Sequence, residues 1–174
     1  FDGAVAITAP PSNRLVRREG LTVDVWLRVD AVAEQGCVLD KQGEVYRVAV
    51  EPGGRFYVGL KGEGSRTDLR ASGLLAGQWQ RITATFQRPE LVLYLDRKEV
   101  GRTVWDHAIG PGGPLHVGAK SGRYDFYKGA IDQVHIYDYA RAPRAGDETR
   151  YLAAGGEAVK AELNVTRTDG AVTV

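Results

Sequence analysis

Apolar and polar residues alternate with a period of two along most of this chain, a pattern that leaves room for little besides β-strands. Leu21, Val23, Val25, Leu27 and Val29 fall on one face of a single extended segment, with Thr22, Asp24, Trp26 and Arg28 on the other. Ile82, Ala84 and Phe86 repeat the pattern after Trp79, and Leu91, Leu93 and Leu95 repeat it again with Tyr94 opposite. Runs at Val45–Val50, Phe56–Leu60, Leu115–Gly118 and Ala130–Tyr137 add further strands. Successive side chains of a strand point to opposite faces, so each such segment asks for one dry side and one wet side. The 22 glycines and 7 prolines fall between the runs, as in Pro52-Gly53-Gly54, Gly62–Gly64, Gly110–Pro114 and Ser121-Gly122. Helical periodicity occurs only near Arg144–Ala153, where Gly155-Gly156 would stop it. Strands at short intervals with turns between them predict an all-β sandwich or barrel.

The 174 residues suit one domain, large enough to build a core without staples. A formal net charge of +1, with basic and acidic residues interspersed, provides no field for nucleic acid or an anionic membrane. The single cysteine, Cys37, rules out an intrachain disulfide, and its neighbours Val38 and Leu39 make it a buried small hydrophobe. No apolar run reaches the roughly 18 residues of a membrane span, so membrane insertion is not expected. With no methionine and no visible signal peptide, the chain reads as a mature form or a piece of something longer, flanked by other domains.

Several segments, in order, resemble the laminin G-like jelly rolls of the concanavalin A-like lectin/glucanase superfamily. They are Phe1-Asp2-Gly3 with Val5 and Ile7, Leu21–Arg28 around Trp26, Gly77–Phe86 around Trp79, Leu93–Lys98, Leu115–Gly118, and Gly129–Tyr137 around Asp132. The likeness spans positions 1–140 and implies a two-sheet antiparallel β-sandwich jelly roll of about a dozen strands, with one short C-terminal helical turn. The jelly roll is assigned to 1–156. Residues 157–174 are left as C-terminal strands around Asp169-Gly170 or the start of a linker. One departure is Arg97, where the family often has glycine in a hairpin, which predicts a longer turn or one of another type.

Asp132 lies in phase with Val134 and Ile136, so alternation points it toward the core, where a carboxylate needs a metal or several hydrogen bonds. Relatives commonly hold a structural calcium, and the resemblance makes Asp2 and Asp132 the candidate ligands, completed by backbone carbonyls. The alternative is a strand-end aspartate that accepts backbone N–H bonds.

Catalytic constellations are not seen. No E-x-D-x-E strand supplies the paired carboxylates of a retaining glycosidase. Gln133-Val134-His135, with Tyr124 and Lys128 nearby, superficially resembles a polysaccharide-lyase cluster but has no matching basic strand. His107, His116 and His135 lack zinc-ligand spacing. A glycosidase or lyase is therefore the least supported reading.

Aromatic rings are the remaining handle, since a sugar's C–H face stacks on a ring. Trp26 and Trp79 sit inside the family-like motifs and are expected to pack under loops. Trp105 lies in the Val104–Pro114 connection, where exposure is expected. Arg123, Tyr124, Asp125, Phe126 and Tyr127 mix rings and charges in another loop, and with Trp105 form the candidate ligand-binding set. The expected role is a non-catalytic module recognising carbohydrate or an extracellular protein surface, in a secreted, periplasmic or cell-surface protein. A protein adhesion or scaffolding module is the alternative.

Overall fold

The computed structural model describes residues 1–11, 19–33, 35–144, and the backbone of 164–167 and 170–171. The strands are β1 (Val5–Ala9), β2 (Gly20–Val29), β3 (Gly36–Lys41), β4 (Tyr46–Glu51), β5 (Arg55–Gly62), β6 (Ser65–Ser72), β7 (Trp79–Gln87), β8 (Glu90–Leu95), β9 (Lys98–Val104), β10 (Leu115–Val117), β11 (Gly129–Tyr137), β12 (Asn164–Arg167) and β13 (Gly170–Ala171). One sheet runs β13-β12-β1-β10-β3-β4-β5-β6 and the other β11-β2-β7-β8-β9, with antiparallel pairing throughout. This is the expected all-β sandwich, and among the described residues it contains no helix. The helical turn expected over Arg144–Ala153, the boundary at 156 and Asp169 of the expected hairpin lie outside the described residues.

The alternation of β2 becomes the core directly. Leu21, Val23, Val25, Leu27 and Val29 are at most 3% exposed and face Val48, Phe56, Val58 and Leu60 of the opposing sheet, with Ile82, Phe86, Leu91 and Leu93 beside them. Cys37 is 1% exposed, its Sγ lies 3.9 Å from the Val48 carbonyl oxygen, and burial pushes its thiol pKa up, as suits an unreactive packing residue.

Two local features differ from the expectations. The β8–β9 hairpin is tight despite Arg97: Leu95 pairs with Lys98, and Asp96 (φ 49°) and Arg97 (φ 71°) both take the positive φ of a type I′ turn. Asp96 anchors the turn, since its backbone N–H donates to the Arg81 carbonyl (2.9 Å) and its Oδ1 accepts from the Arg81 N–H (2.8 Å). The second concerns Trp105, expected to be exposed. It is 5% exposed, packs on Phe86 with ring centroids 5.6 Å apart, and donates from Nε1 to Ser65 Oγ at 3.1 Å. The connection after β9 folds back against Gly62, where an added Cβ would lie 2.0 Å from the Ala108 carbonyl oxygen. Glycine at 62 thus lets the connection approach closely enough to carry the indole into the core.

Trp105→Ala should therefore cost stability, about 3–5 kcal/mol as for other large aromatic truncations, measured as a lowered urea midpoint with the slope unchanged. A variant as stable as the parent would return Trp105 to the surface.

Candidate functional site

The outer face of the five-stranded sheet is built by the residues that alternate with the core. Register sets them in rows across β11, β2 and β7: Tyr137–Thr22–Thr85, His135–Asp24–Thr83, Asp132–Trp26–Arg81 and Ala130–Arg28–Trp79. At its centre Arg81 grips Asp24 through both arms of its guanidinium, with Nε 2.7 Å from Oδ1 and Nη2 on Oδ2, and Thr83 Oγ1 donates to the same carboxylate at 2.8 Å. Asp24 is 3% and Arg81 4% exposed. Desolvating such a pair offsets much of its attraction, so its main effect is to fix geometry, while removing one partner would cost about 3–5 kcal/mol.

His135 Nδ1 stands 3.9 Å from Asp24 Oδ2. Burial lowers the His135 pKa below its ordinary value, with Arg81 and Arg141 acting in the same direction against Asp24 and Asp132. Rings continue from it along the strand: His135 stacks on Tyr137 at 6.2 Å between centroids, and Tyr137 meets Tyr139 at 5.7 Å. The Arg141 guanidinium lies 5.3 Å from the Tyr137 ring centre and its Nη1 is 3.3 Å from the phenol oxygen. Thr22 ties this segment down, donating from Oγ1 to the Tyr139 carbonyl (2.7 Å) and accepting from the Arg141 N–H (2.8 Å). At the far end Trp79, expected to be packed under a loop, is 45% exposed with the Arg28 guanidinium 5.8 Å from its ring centre.

The loop expected to bind ligand is only partly available. Tyr124 is 63% exposed, Arg123 and Asp125 are exposed, and Phe126 is half-buried. Tyr127, in contrast, is fully buried, edge-on to Phe1 at 6.3 Å. Backbone bonds explain the difference: Cys37 N–H donates to the Asp125 carbonyl (2.7 Å) and Tyr127 N–H to the Gly118 carbonyl (2.9 Å), pinning this end of the loop to β3 and the residue after β10. Tyr127 and Trp105 therefore belong to the core, and the structure does not gather the six expected residues into one surface.

Asp132 is exposed and does not face the core. A bulge between Asp132 and His135, with Gln133 at φ 50°, inserts an extra residue and reverses the parity that alternation assumed. Asp132 Oδ1 accepts from the Gln133 N–H (2.8 Å) and Asp2 Oδ1 from the Ala4 N–H (3.0 Å). Asp2 lines a lateral depression of about 550 Å³ with Phe1, Arg28, Asp30 and Gly129, whereas Asp132 lies on the outer face. Among the described residues no three His, Cys, Asp or Glu side chains form a metal-holding group. A calcium ion takes six to eight oxygens, so side-chain carboxylates at either place would supply few of them.

The outer face of the larger sheet is laced with ion pairs. Glu44 is engaged by Arg47, Arg66 and Lys120; burial would raise its pKa, but these cations hold it down at about 2. His116 shares a 3.0 Å hydrogen bond between Nδ1 and Thr8 Oγ1, and its pKa is lowered by burial, with Asp40 opposing and Lys41 assisting. Asp40 in turn accepts from the Ser121 N–H at 2.9 Å. Several polar atoms of this cluster, among them Asp40 Oδ1 and His116 Nε2, are buried without a hydrogen-bond partner.

His116 and His135 should both titrate below the unperturbed value of about 6.5 in an NMR titration. Each imidazole is kept neutral by folding, so its contribution to stability is complete above the unfolded pKa and is lost as pH falls through the folded one. His135→Gln should accordingly flatten part of the fall in urea midpoint on acidification; an unchanged slope would refute the assignment. Melting curves with calcium and with chelator should superimpose, and stabilisation by calcium would reinstate Asp2 as a ligand.

Comparison with known proteins follows the same outline. Comparison with curated proteins gives no match. A native heptameric SAP-like pentraxin from Limulus polyphemus superposes with a TM-score of 0.58 at 16% identity, over 94% of each chain. A putative carbohydrate binding protein from Bacteroides ovatus gives 0.56 at 16% identity, over 79% of this chain and 45% of that one. Domains LG4-5 of the mouse laminin alpha1 chain give 0.58 at 14% identity, over 82% and 45%. At these identities the likeness establishes the fold. A laminin G family model, described as Concanavalin A-like lectin/glucanases superfamily, matches residues 1–145, and the chain belongs to that family.

Proposed function

We propose that this domain is a non-catalytic carbohydrate-binding module that uses the outer face of its five-stranded sheet. The observation carrying the proposal is the strip His135–Tyr137–Tyr139 with Arg141 over the middle ring. Rings offer flat apolar surface to the C–H face of a sugar, and guanidinium and imidazole nitrogens beside them reach its hydroxyls. Tyr139 is 40% exposed and His135 is partly exposed. Two acids lie in its rows across β11, β2 and β7: Asp24 is bound up by Arg81 and Thr83, and Asp132 accepts from the Gln133 N–H, so each already serves the fold, which supports binding over hydrolysis. The likeness to a putative carbohydrate binding protein and to a botulinum neurotoxin binding domain in complex with SialylT supports the same reading by analogy of fold. As part of this proposal the module belongs to an exported protein and works beside other domains.

A glycan array probed with the purified domain should show reproducible binding to one sugar class, and Tyr139→Ala should reduce it about tenfold or more while leaving the melting temperature unchanged. A blank array would overturn the proposal in favour of a protein-docking role.

A further inference from the structure

We propose that the turn 120–124 is a pH-operated strap, closed over the outer face of the larger sheet and lifting from it when His116 takes up a proton. Register lines Thr8, His116, Asp40 and Arg47 up in one row across β1, β10, β3 and β4, on the side away from the core. A polar row on an outer face is ordinarily wet, yet His116 is 7%, Asp40 0% and Arg47 5% exposed. The turn lies over the middle of this row. Ser121 N–H donates to Asp40 Oδ2 at 2.9 Å, Lys120 Nζ stands 3.0 Å from Glu44 Oε1, and a Cβ added to Gly122 would come within 3.0 Å of His116 Nδ1. The turn also closes on itself, with Lys120 N–H on the Tyr124 carbonyl (2.7 Å) and Tyr124 N–H on the Lys120 carbonyl (3.0 Å). Its ends are fixed by Gly118 N–H on the Val38 carbonyl (2.9 Å) and Cys37 N–H on the Asp125 carbonyl (2.7 Å), so it is built to move as one piece between two anchors.

Closed, the row leaves His116 Nε2, Asp40 Oδ1 and Arg47 Nε buried without a hydrogen-bond partner, although Arg47 Nε lies 3.6 Å from Asp40 Oδ1. A neutral imidazole tolerates such a place at modest cost, whereas an imidazolium needs both nitrogens paired or in water. From β1 the ring meets Thr8, whose Oγ1 is 3.0 Å from Nδ1. From β3 it meets Asp40, which favours the proton, and Lys41, which opposes it. The turn presents the uncharged Ser121 and Gly122, with Lys120 directed to Glu44. Arg47 of β4 stands beyond Asp40, engaged by Glu44 and by Tyr57 Oη at 3.1 Å. Burial outweighs the attraction of Asp40 and holds the His116 pKa below its ordinary value. Strands β1, β10 and β3 are tied by their ladders, so lifting the turn is the way water reaches the ring. Once wet, the imidazole returns to a pKa of about 6.5. A base whose pKa is lower in the closed form than in the open one favours opening as pH falls. The strap is therefore shut above about pH 6.5 and opens progressively below it, by up to about tenfold per pH unit. Opening uncovers His116 and Asp40 and shifts Tyr124, 63% exposed at the tip.

Amide hydrogen exchange of the whole chain, read by mass spectrometry at about pH 7.5 and about pH 5, tests this. After correction for the intrinsic pH dependence of exchange, the amides of 120–124 should exchange about tenfold faster at the lower pH, while those of β3 and β4 keep their protection. His116→Gln, which offers Thr8 an amide and takes up no proton, should remove the difference. Should that variant fail to fold, NMR of the parent chain carries the test: the Ser121 and Gly122 amide shifts should move with the midpoint of the His116 ring. Exchange of 120–124 that is the same at both pH values, or an undiminished response in His116→Gln, would overturn the strap. So would loosening shared by β3 and β4, or amide shifts that follow a carboxylate midpoint of about 4. The glycan-binding reading concerns the other sheet and stands or falls separately.

Discussion

The unbroken pairing of β2 with β7, from Gly20 with Gln87 to Arg28 with Trp79, is the contact on which the rest of the domain depends. β2 lies second in its sheet, with β11 on one side and β7 on the other. Every odd residue from Leu21 to Val29 goes into the core and every even one from Thr22 to Arg28 goes to the outer face. A one-residue slip would drive Asp24 and Arg28 into the hydrocarbon and put five aliphatic side chains in water. The burial of those aliphatics therefore fixes the position of Asp24 and Trp26 as firmly as it fixes the core. Core and outer face are two readings of the same alternation.

That coupling explains which parts of the molecule were legible in the sequence. The strands, the dry face of β2 and Cys37 as a packing residue follow from alternation and turn residues, which depend on near neighbours only, and the family from motifs that resemble it. The bulge at Gln133 was not legible, because nothing local distinguishes it from regular strand. Its consequence is large: Asp132, in phase with Val134 and Ile136 on paper, comes out exposed. Arg97 was read as an obstacle to a tight hairpin, yet Asp96 bonds to the Arg81 backbone through both its main chain and its side chain, and so holds the turn. Such bonds, fifteen residues apart in sequence, have no local signature.

The candidate rings failed and succeeded for a related reason. Trp105 was expected outside because connections usually run over the surface. Gly62, more than forty residues upstream, removes the side chain that would have kept this connection away, and the indole then gains more by burial than by exposure. Tyr127 is drawn in by strand-like bonds from Cys37 and Gly118 that the Arg123–Tyr127 stretch could not reveal by itself. Trp79 went the other way, since its partner across the ladder is Arg28, an outward residue, and pairing decides the face. In each case the side a ring takes was decided by contacts distant in sequence.

The buried Asp24–Arg81 pair completes this account. On energetic grounds two well-packed aliphatic side chains could replace it at little loss, because desolvation offsets most of its attraction. An aliphatic pair, however, would lack direction and would leave the register to the core residues alone. A bidentate pair does not: its two bonds, with Thr83 as a third, hold together only when β2 and β7 are aligned as they are. It also holds His135 beside a charged carboxylate while burial keeps the ring neutral, so the imidazole remains both a donor and an acceptor.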